Sequence, residues 1–268
     1  LHPALKIVAR GSSLKVLGSE AETQRFGRHM EGLVAYYLKY GHISSEVIGQ
    51  AFAGGIAGQE APADKDVIVY GNNGNIIRAR TVNQQKLVKL YDKNDLLFAV
   101  GPAGSGKTYT AIALAVRALK EKEVRRIILT RPAVEAGEKL GFLPGDMKEK
   151  LDPYLQPLYD ALNDMIPPAK LAKYLEEGTV QIAPLAYMRG RTLDNAFVIL
   201  DEAQNTTLSQ IKMFLTRMGR NARFIVTGDV TQIDLPKKSD SGLTRSMEIL
   251  RGVGGIGIVA VSYTHLRA

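Results

Sequence analysis

Apolar spacing divides the chain into two stretches of different character. The first has a short strand pattern at residues 14–17, then a long helical stretch over about residues 20–39, with Phe26, Met30, Leu33, Tyr37 and Tyr40 at helical spacing. Ile43-Ser44-Ser45-Glu46 opens a second predicted helix, and Gly54-Gly55-Ile56-Ala57-Gly58 with Pro62 reads as a closing loop. Residues 66–70 and 75–80, joined by Gly71-Asn72-Asn73-Gly74, predict a β-hairpin that serves as a hinge. From Asp95 onward, short runs of branched apolar residues alternate with helical stretches, at 96–100, 126–130, 179–183, 197–200, 224–227 and 256–261. That alternation predicts an α/β fold, a parallel sheet with helices on both faces. The expected organisation is an N-terminal unit over 1–63, a hairpin linker over 64–80 and an α/β domain over 81–268.

The first predicted strand of the α/β part runs into Gly101-Pro102-Ala103-Gly104-Ser105-Gly106-Lys107-Thr108, which fits G-x-x-x-x-G-K-[ST], and a helical run follows from Tyr109. Glycines let successive backbone N–H groups turn inward around phosphate oxygens, and the helix N-terminus adds favourable partial charge. Lys107 is expected to reach the β- and γ-phosphates of ATP, and the Thr108 hydroxyl to ligate Mg²⁺.

Two further strand ends carry candidate chemistry. Phe197-Val198-Ile199-Leu200 leads into Asp201-Glu202-Ala203-Gln204. On a strand neighbouring the phosphate loop, Asp201 is expected to hold Mg²⁺ and Glu202 to polarise the attacking water as general base. The competing reading is that these acids cap the next helix, although Thr206 and Thr207 are better caps. Phe224-Ile225-Val226-Thr227 leads into Gly228-Asp229-Val230-Thr231-Gln232-Ile233-Asp234. Ending at the same sheet edge, it places Gln232 near the γ-phosphate, unless this is an ordinary strand-to-helix loop with Asp229 and Asp234 as turn residues. Arg131, just beyond a central strand, is a candidate contact to phosphate or to an RNA backbone.

Together, Gly-Pro-Ala-Gly-Ser-Gly-Lys-Thr, Val-Ile-Leu-Asp-Glu-Ala-Gln-Asn and Thr-Gly-Asp-x-x-Gln-x-Asp resemble the PhoH-like family of ATPases, which is related to superfamily 1 helicases. Three further stretches are similar to family segments: residues 129–146 beginning Leu-Thr-Arg-Pro-Ala-Val-Glu, Tyr187-Met188-Arg189-Gly190-Arg191-Thr192-Leu193, and Thr81-Val82-Asn83-Gln84. The resemblance spans about residues 80–258. It implies a P-loop NTPase of RecA/helicase-like fold, and it implies that Gln84 reads the adenine edge.

Upstream, residues 10–18 and the long helix look like the tail of a small α+β, KH-like RNA-binding segment, the alternative being a short helical cap on the ATPase. Downstream, residues 259–268 depart from the family's pattern, in which an acidic residue, paired valines and an Arg-His step follow the last strand. The tail therefore reads as truncated or aberrant, and the missing arginine implies ATP binding that outlasts turnover.

Composition narrows the partners. Lys plus Arg total 35 against 27 Asp plus Glu, a formal charge of +8, compatible with a polyanion such as single-stranded RNA or with a basic enzyme that binds only a nucleotide. There are 0 cysteines, which excludes disulfides and thiolate chemistry and suits a reducing cytoplasm. No apolar run approaches the roughly 18 residues needed to cross a bilayer, so no membrane partner is expected. His2, His29, His42 and His265 lack metal-ligand spacing. Family relatives form rings, which makes a homo-oligomer an expectation as well. The reading that follows is an ATPase coupled to RNA binding or remodelling, the alternative being a nucleotide-dependent switch with little turnover.

Overall fold

The computed structural model describes residues 5–10, 13–40, 48–49, 66–72, 75–132 and 147–260. The loop expected at 54–62, most of the helix expected from 43, most of the family-like stretch at 133–146 and the tail from 261 lie outside the described residues. The chain forms two compact units, Leu1–Lys65 and Asp66–Ala268.

In the first unit, β1 (Lys6–Arg10) and β2 (Ser13–Leu17) pair antiparallel, and α1 spans Glu20–Tyr40. Only β2 and α1 were expected. The sequence signal for β1 is Ile7-Val8-Ala9 followed by Gly11-Ser12, a pair of the type that joins hairpin strands. The Ser19 hydroxyl accepts the Glu22 N–H at 3.4 Å, and Glu20 and Glu22 place negative charge on the positive end of the helix dipole. Phe26 and Leu33 are buried as their spacing predicts, but Tyr37 is 53% exposed and so falls outside that apolar face.

The second unit begins with the hairpin β3 (Val67–Tyr70) and β4 (Ile76–Arg78). Its Ile68, Val69 and Ile77 are buried in the core beneath α3, so the hairpin counts with this unit and is not a free hinge. Helix α2 (Val82–Tyr91) follows. Then come β5 (Leu96–Val100), α3 (Lys107–Lys120), β6 (Arg126–Arg131), α4 (Met147–Met165), α5 (Pro168–Glu176) and β7 (Val180–Pro184). The series ends with β8 (Ala196–Leu200), α6 (Leu208–Leu215), β9 (Arg223–Gly228), α7 (Gly242–Leu250) and β10 (Ile256–Ala260).

The six strands β5 to β10 form one parallel sheet in the order β10-β5-β9-β8-β6-β7. Because strand side chains alternate, Leu97 and Ala99 of β5 enter the core on one face, while Leu96, Phe98 and Val100 enter the other. Phe197 and Ile199 of β8 divide from Val198 and Leu200 in the same way. Both faces are covered, which is why the strands read as unbroken apolar runs. Helix α3 is buried on all sides from Thr110 to Val116, and its Ala111, Ala113 and Ala115 let it lie close to the sheet.

The order corrects one expectation. The acidic strand β8 is not adjacent to β5; β9 lies between them. Apolar runs encode burial but not lateral position. From β5 the chain crosses by α3 to β6 on one side, and from β9 it crosses by α7 to β10 on the other. The sheet thus changes direction around β5 and β9, and the C-terminal ends of those strands border the crevice where ligands of open α/β sheets collect.

Candidate functional site

The phosphate loop leaves β5 at Gly101, whose N–H donates to the Gly228 carbonyl at the end of β9, 3.0 Å away. Gly104 and Gly106 take φ of 74° and 76°, the left-handed region that turns the chain back into α3. The Pro102 carbonyl accepts the Ser105 hydroxyl at 2.8 Å and the Lys107 ammonium at 3.2 Å, so Lys107 lies buried across the loop it serves.

Asp201, 1% exposed, stands at the tip of β8. Its Oδ1 accepts the Thr108 hydroxyl at 2.6 Å and the Thr227 hydroxyl of β9 at 2.6 Å. Its Oδ2 accepts Arg131 Nε at 2.7 Å, and Arg131 Nη2 lies 2.5 Å away. The intervening strand β9 thus supplies the bridging hydroxyl. Thr108 and Asp201 make an all-oxygen pair suited to a hard cation such as Mg²⁺, which takes few protein ligands and completes its shell with water and phosphate oxygens. No cluster of three or more His, Cys, Asp or Glu that could hold a metal exists among the described residues.

Glu202 adopts φ 55°, ψ 38°, an uncommon left-handed conformation for a residue with a side chain. Its half-buried carboxylate accepts Gln204 Nε2 at 2.6 Å. Asp229, also buried, accepts the Ala103 N–H of the loop at 3.1 Å and both the N–H and hydroxyl of Thr231, at 2.8 and 2.7 Å. Burial pushes its carboxyl up, but the bonds from Thr231 and Ala103 and the nearby Lys107 charge outweigh it and hold it below its ordinary value. Asp229 therefore does more than shape a turn: it fixes the loop.

Gln84 makes a capping box at the start of α2, its Oε1 accepting the Arg80 and Thr81 N–H groups at 2.8 and 3.3 Å while Thr81 Oγ1 accepts the Gln84 N–H. Its Nε2 donates to the Ser105 carbonyl at 3.1 Å. The amide expected to read adenine is thus a clamp between α2 and the phosphate loop. Beside it lies a cavity of 310 Å³ walled by residues of β4, Arg80, Gln84, Gly106, Tyr109, Thr110 and Asp164. The Tyr109 hydroxyl donates to the Asp164 carboxylate at 3.2 Å across one side.

A Cβ at Gly106 would stand 2.6 Å from Gln84 Nε2. Gly106→Ala should therefore cost more in urea unfolding than Gly190→Ala, which has a similar φ of 75° and no atom within 4 Å. We expect about 1 kcal/mol for the left-handed strain alone at Gly190, and about twice that at Gly106, where the Gln84–Ser105 bond is also displaced.

The structure brings the loop, Thr108, Asp201, Gln84 and Arg131 together, Arg131 lying on Asp201. Gln232 follows β9 at the same end of the sheet but is exposed, with its N–H donating to the Asp229 carbonyl at 3.1 Å. Thr227, Asp229 and Gln204 were not among the expected site residues. The signal for Thr227 and Asp229 was a hydroxyl and an acid at a strand's C-terminal end, and for Gln204 only its place in the acidic motif after β8.

The family model for PhoH-like proteins matches residues 76–266. The chain belongs to the PhoH-like family. It is 48% identical over 264 residues to a PhoH-like protein of Bacillus subtilis, covering 97% of this chain and 82% of that one. It is 48% identical over 258 residues to one of Synechocystis, at 95% and 79% coverage, and 50% identical over 185 residues to Protein PhoH of Escherichia coli, at 68% and 52%. Among solved structures, the Sulfolobus solfataricus SWI2/SNF2 ATPase core in complex with dsDNA aligns at a TM-score of 0.43 and 15% identity over 69% of this chain and 45% of that one. The P-loop fold rests on the strand order and loop geometry above. No helix among the described residues is long and apolar enough to cross a membrane.

Proposed function

We propose that this family member hydrolyses ATP and couples the hydrolysis to single-stranded RNA. The observation that carries the ATPase reading is the junction at Asp201, where the loop's Thr108, the sheet's Thr227 and Arg131 meet one buried carboxylate immediately before Glu202. Lys107 and the loop N–H groups bind the β- and γ-phosphates. Thr108 and Asp201 hold Mg²⁺, which when bound neutralises phosphate charge. Glu202 accepts the proton of the attacking water, and Gln232 registers the γ-phosphate from the loop after β9. The ribose and base take the cavity beside Gln84, whose volume is at the small end of ligand pockets.

Coupling to RNA draws support from the +8 charge and from the likeness of the first unit to a KH-like segment. We expect single-stranded RNA to raise steady-state phosphate release by about tenfold at low salt, with the effect fading as salt rises from about 50 to about 200 mM. Lys107→Ala, which should not bind nucleotide, is the baseline. Unchanged turnover across RNA and DNA oligomers would remove the RNA coupling. Tight ATP binding with negligible turnover would instead favour a nucleotide-controlled switch, a reading that the Arg131 cation already seated on Asp201 keeps in play.

A further inference from the structure

Gln204 is 1% exposed, and both ends of its amide are engaged. Nε2 donates to Glu202 Oε2 at 2.6 Å, and Oε1 accepts the Asp229 N–H at 3.0 Å. Asp229 in turn receives the Ala103 N–H of the phosphate loop. Four groups from three separate stretches of chain therefore form one continuous line from the Glu202 carboxylate to the loop.

Several features mark this line as more than a satisfied buried amide. Glu202 sits in left-handed backbone, a conformation that persists only when surrounding contacts over-determine it. Gln204 captures one carboxylate oxygen, Oε2, and so holds the Glu202 side chain in one orientation. Gly228 keeps the approach open, since a Cβ there would lie 3.0 Å from Gln204 Oε1 and 2.6 Å from Leu243 Cδ2.

We infer that Gln204 is a positioning residue that fixes the Glu202 carboxylate and, through Asp229, ties its placement to the phosphate loop. This rests on the reading of Glu202 as the general base. Gln204 acts through Glu202. A base displaced by about 1 Å loses on the order of 10²-fold in rate, so the loss should fall on turnover and not on binding.

The test uses the full chain with ATP turnover, affinity for a fluorescent ATP analogue and thermal unfolding measured in parallel. Gln204→Met removes both bonds at similar volume. Gln204→Leu also removes both bonds with an apolar side chain of similar size, and it serves if the Met variant does not fold. The expected result for either is kcat lower by about 100-fold, with analogue affinity within about threefold of the parent. In a Glu202→Gln background, the same Gln204 substitution should lower turnover no further, because the group it positions is already gone. Turnover within about threefold of the parent in Gln204→Met or Gln204→Leu overturns the inference, as does an equal loss of kcat and affinity. A further fall in the double variant overturns it too, since Gln204 would then act other than through Glu202. If Glu202→Gln alone turns over like the parent, it is the general-base reading that fails.

Discussion

Glu202→Gln should lower ATP turnover by about 10³-fold while leaving nucleotide affinity within about threefold. The substitution is nearly isosteric. The amide oxygen of a glutamine can still accept from Gln204 Nε2, so the backbone kink and the line to Asp229 persist. What disappears is the oxygen proposed to take a proton from water, a general-base contribution of about 10² to 10⁴ in rate. Binding should be spared because the proposed phosphate contacts belong to Lys107, Thr108 and the loop N–H groups, not to Glu202. Phosphate release in a single turnover, with analogue binding measured in parallel, checks the split. Retention of more than about a tenth of parental turnover would place the base elsewhere.

Glu202 also shows where the sequence was legible and where it was not. The strand-loop-helix unit from β5 to α3 is local: an apolar run, a glycine pattern and a helical run, all within one stretch. The acidic strand end is equally local. The lateral order of strands is not, because every strand of a sheet covered on both faces carries the same apolar signature. That is why β9 was missed as the neighbour of both β5 and β8, and Thr227 with it.

Asp229 meets Ala103 across 126 positions, and no periodicity reports such a pairing. Gln84 is the converse case. Its capping box with Thr81 follows the local S/T-x-x-E/Q pattern and was readable as a helix start, whereas its clamp on Ser105 depends on tertiary packing. The hairpin β3-β4 was read correctly as a hairpin from Gly71-Asn72-Asn73-Gly74, but its place in the core was not. Ile68, Val69 and Ile77 carried that information as buried apolar residues flanking a turn.

The largest effect on stability should come from the pair that holds the buried Asp201 carboxylate. Arg131 reaches Asp201 through both Nε and Nη2, and a third nitrogen, Nη1, donates to the Tyr154 carbonyl of α4. Asp201 is 1% exposed, so its charge is cut off from water, and the Thr108 and Thr227 hydroxyls satisfy Oδ1 without neutralising it. Arg131→Met strands that charge and should cost about 3 to 5 kcal/mol in urea unfolding without nucleotide. A buried pair often adds little net stability compared with an apolar replacement of both partners. Arg131→Met combined with Asp201→Asn should therefore recover most of the loss, a coupling that a double-mutant cycle reads directly. If Arg131→Met alone unfolds within about 1 kcal/mol of the parent, Asp201 does not depend on that guanidinium for its charge balance. Were the double variant no more stable than the single, the cost would lie in the lost tie to α4 and not in the stranded carboxylate.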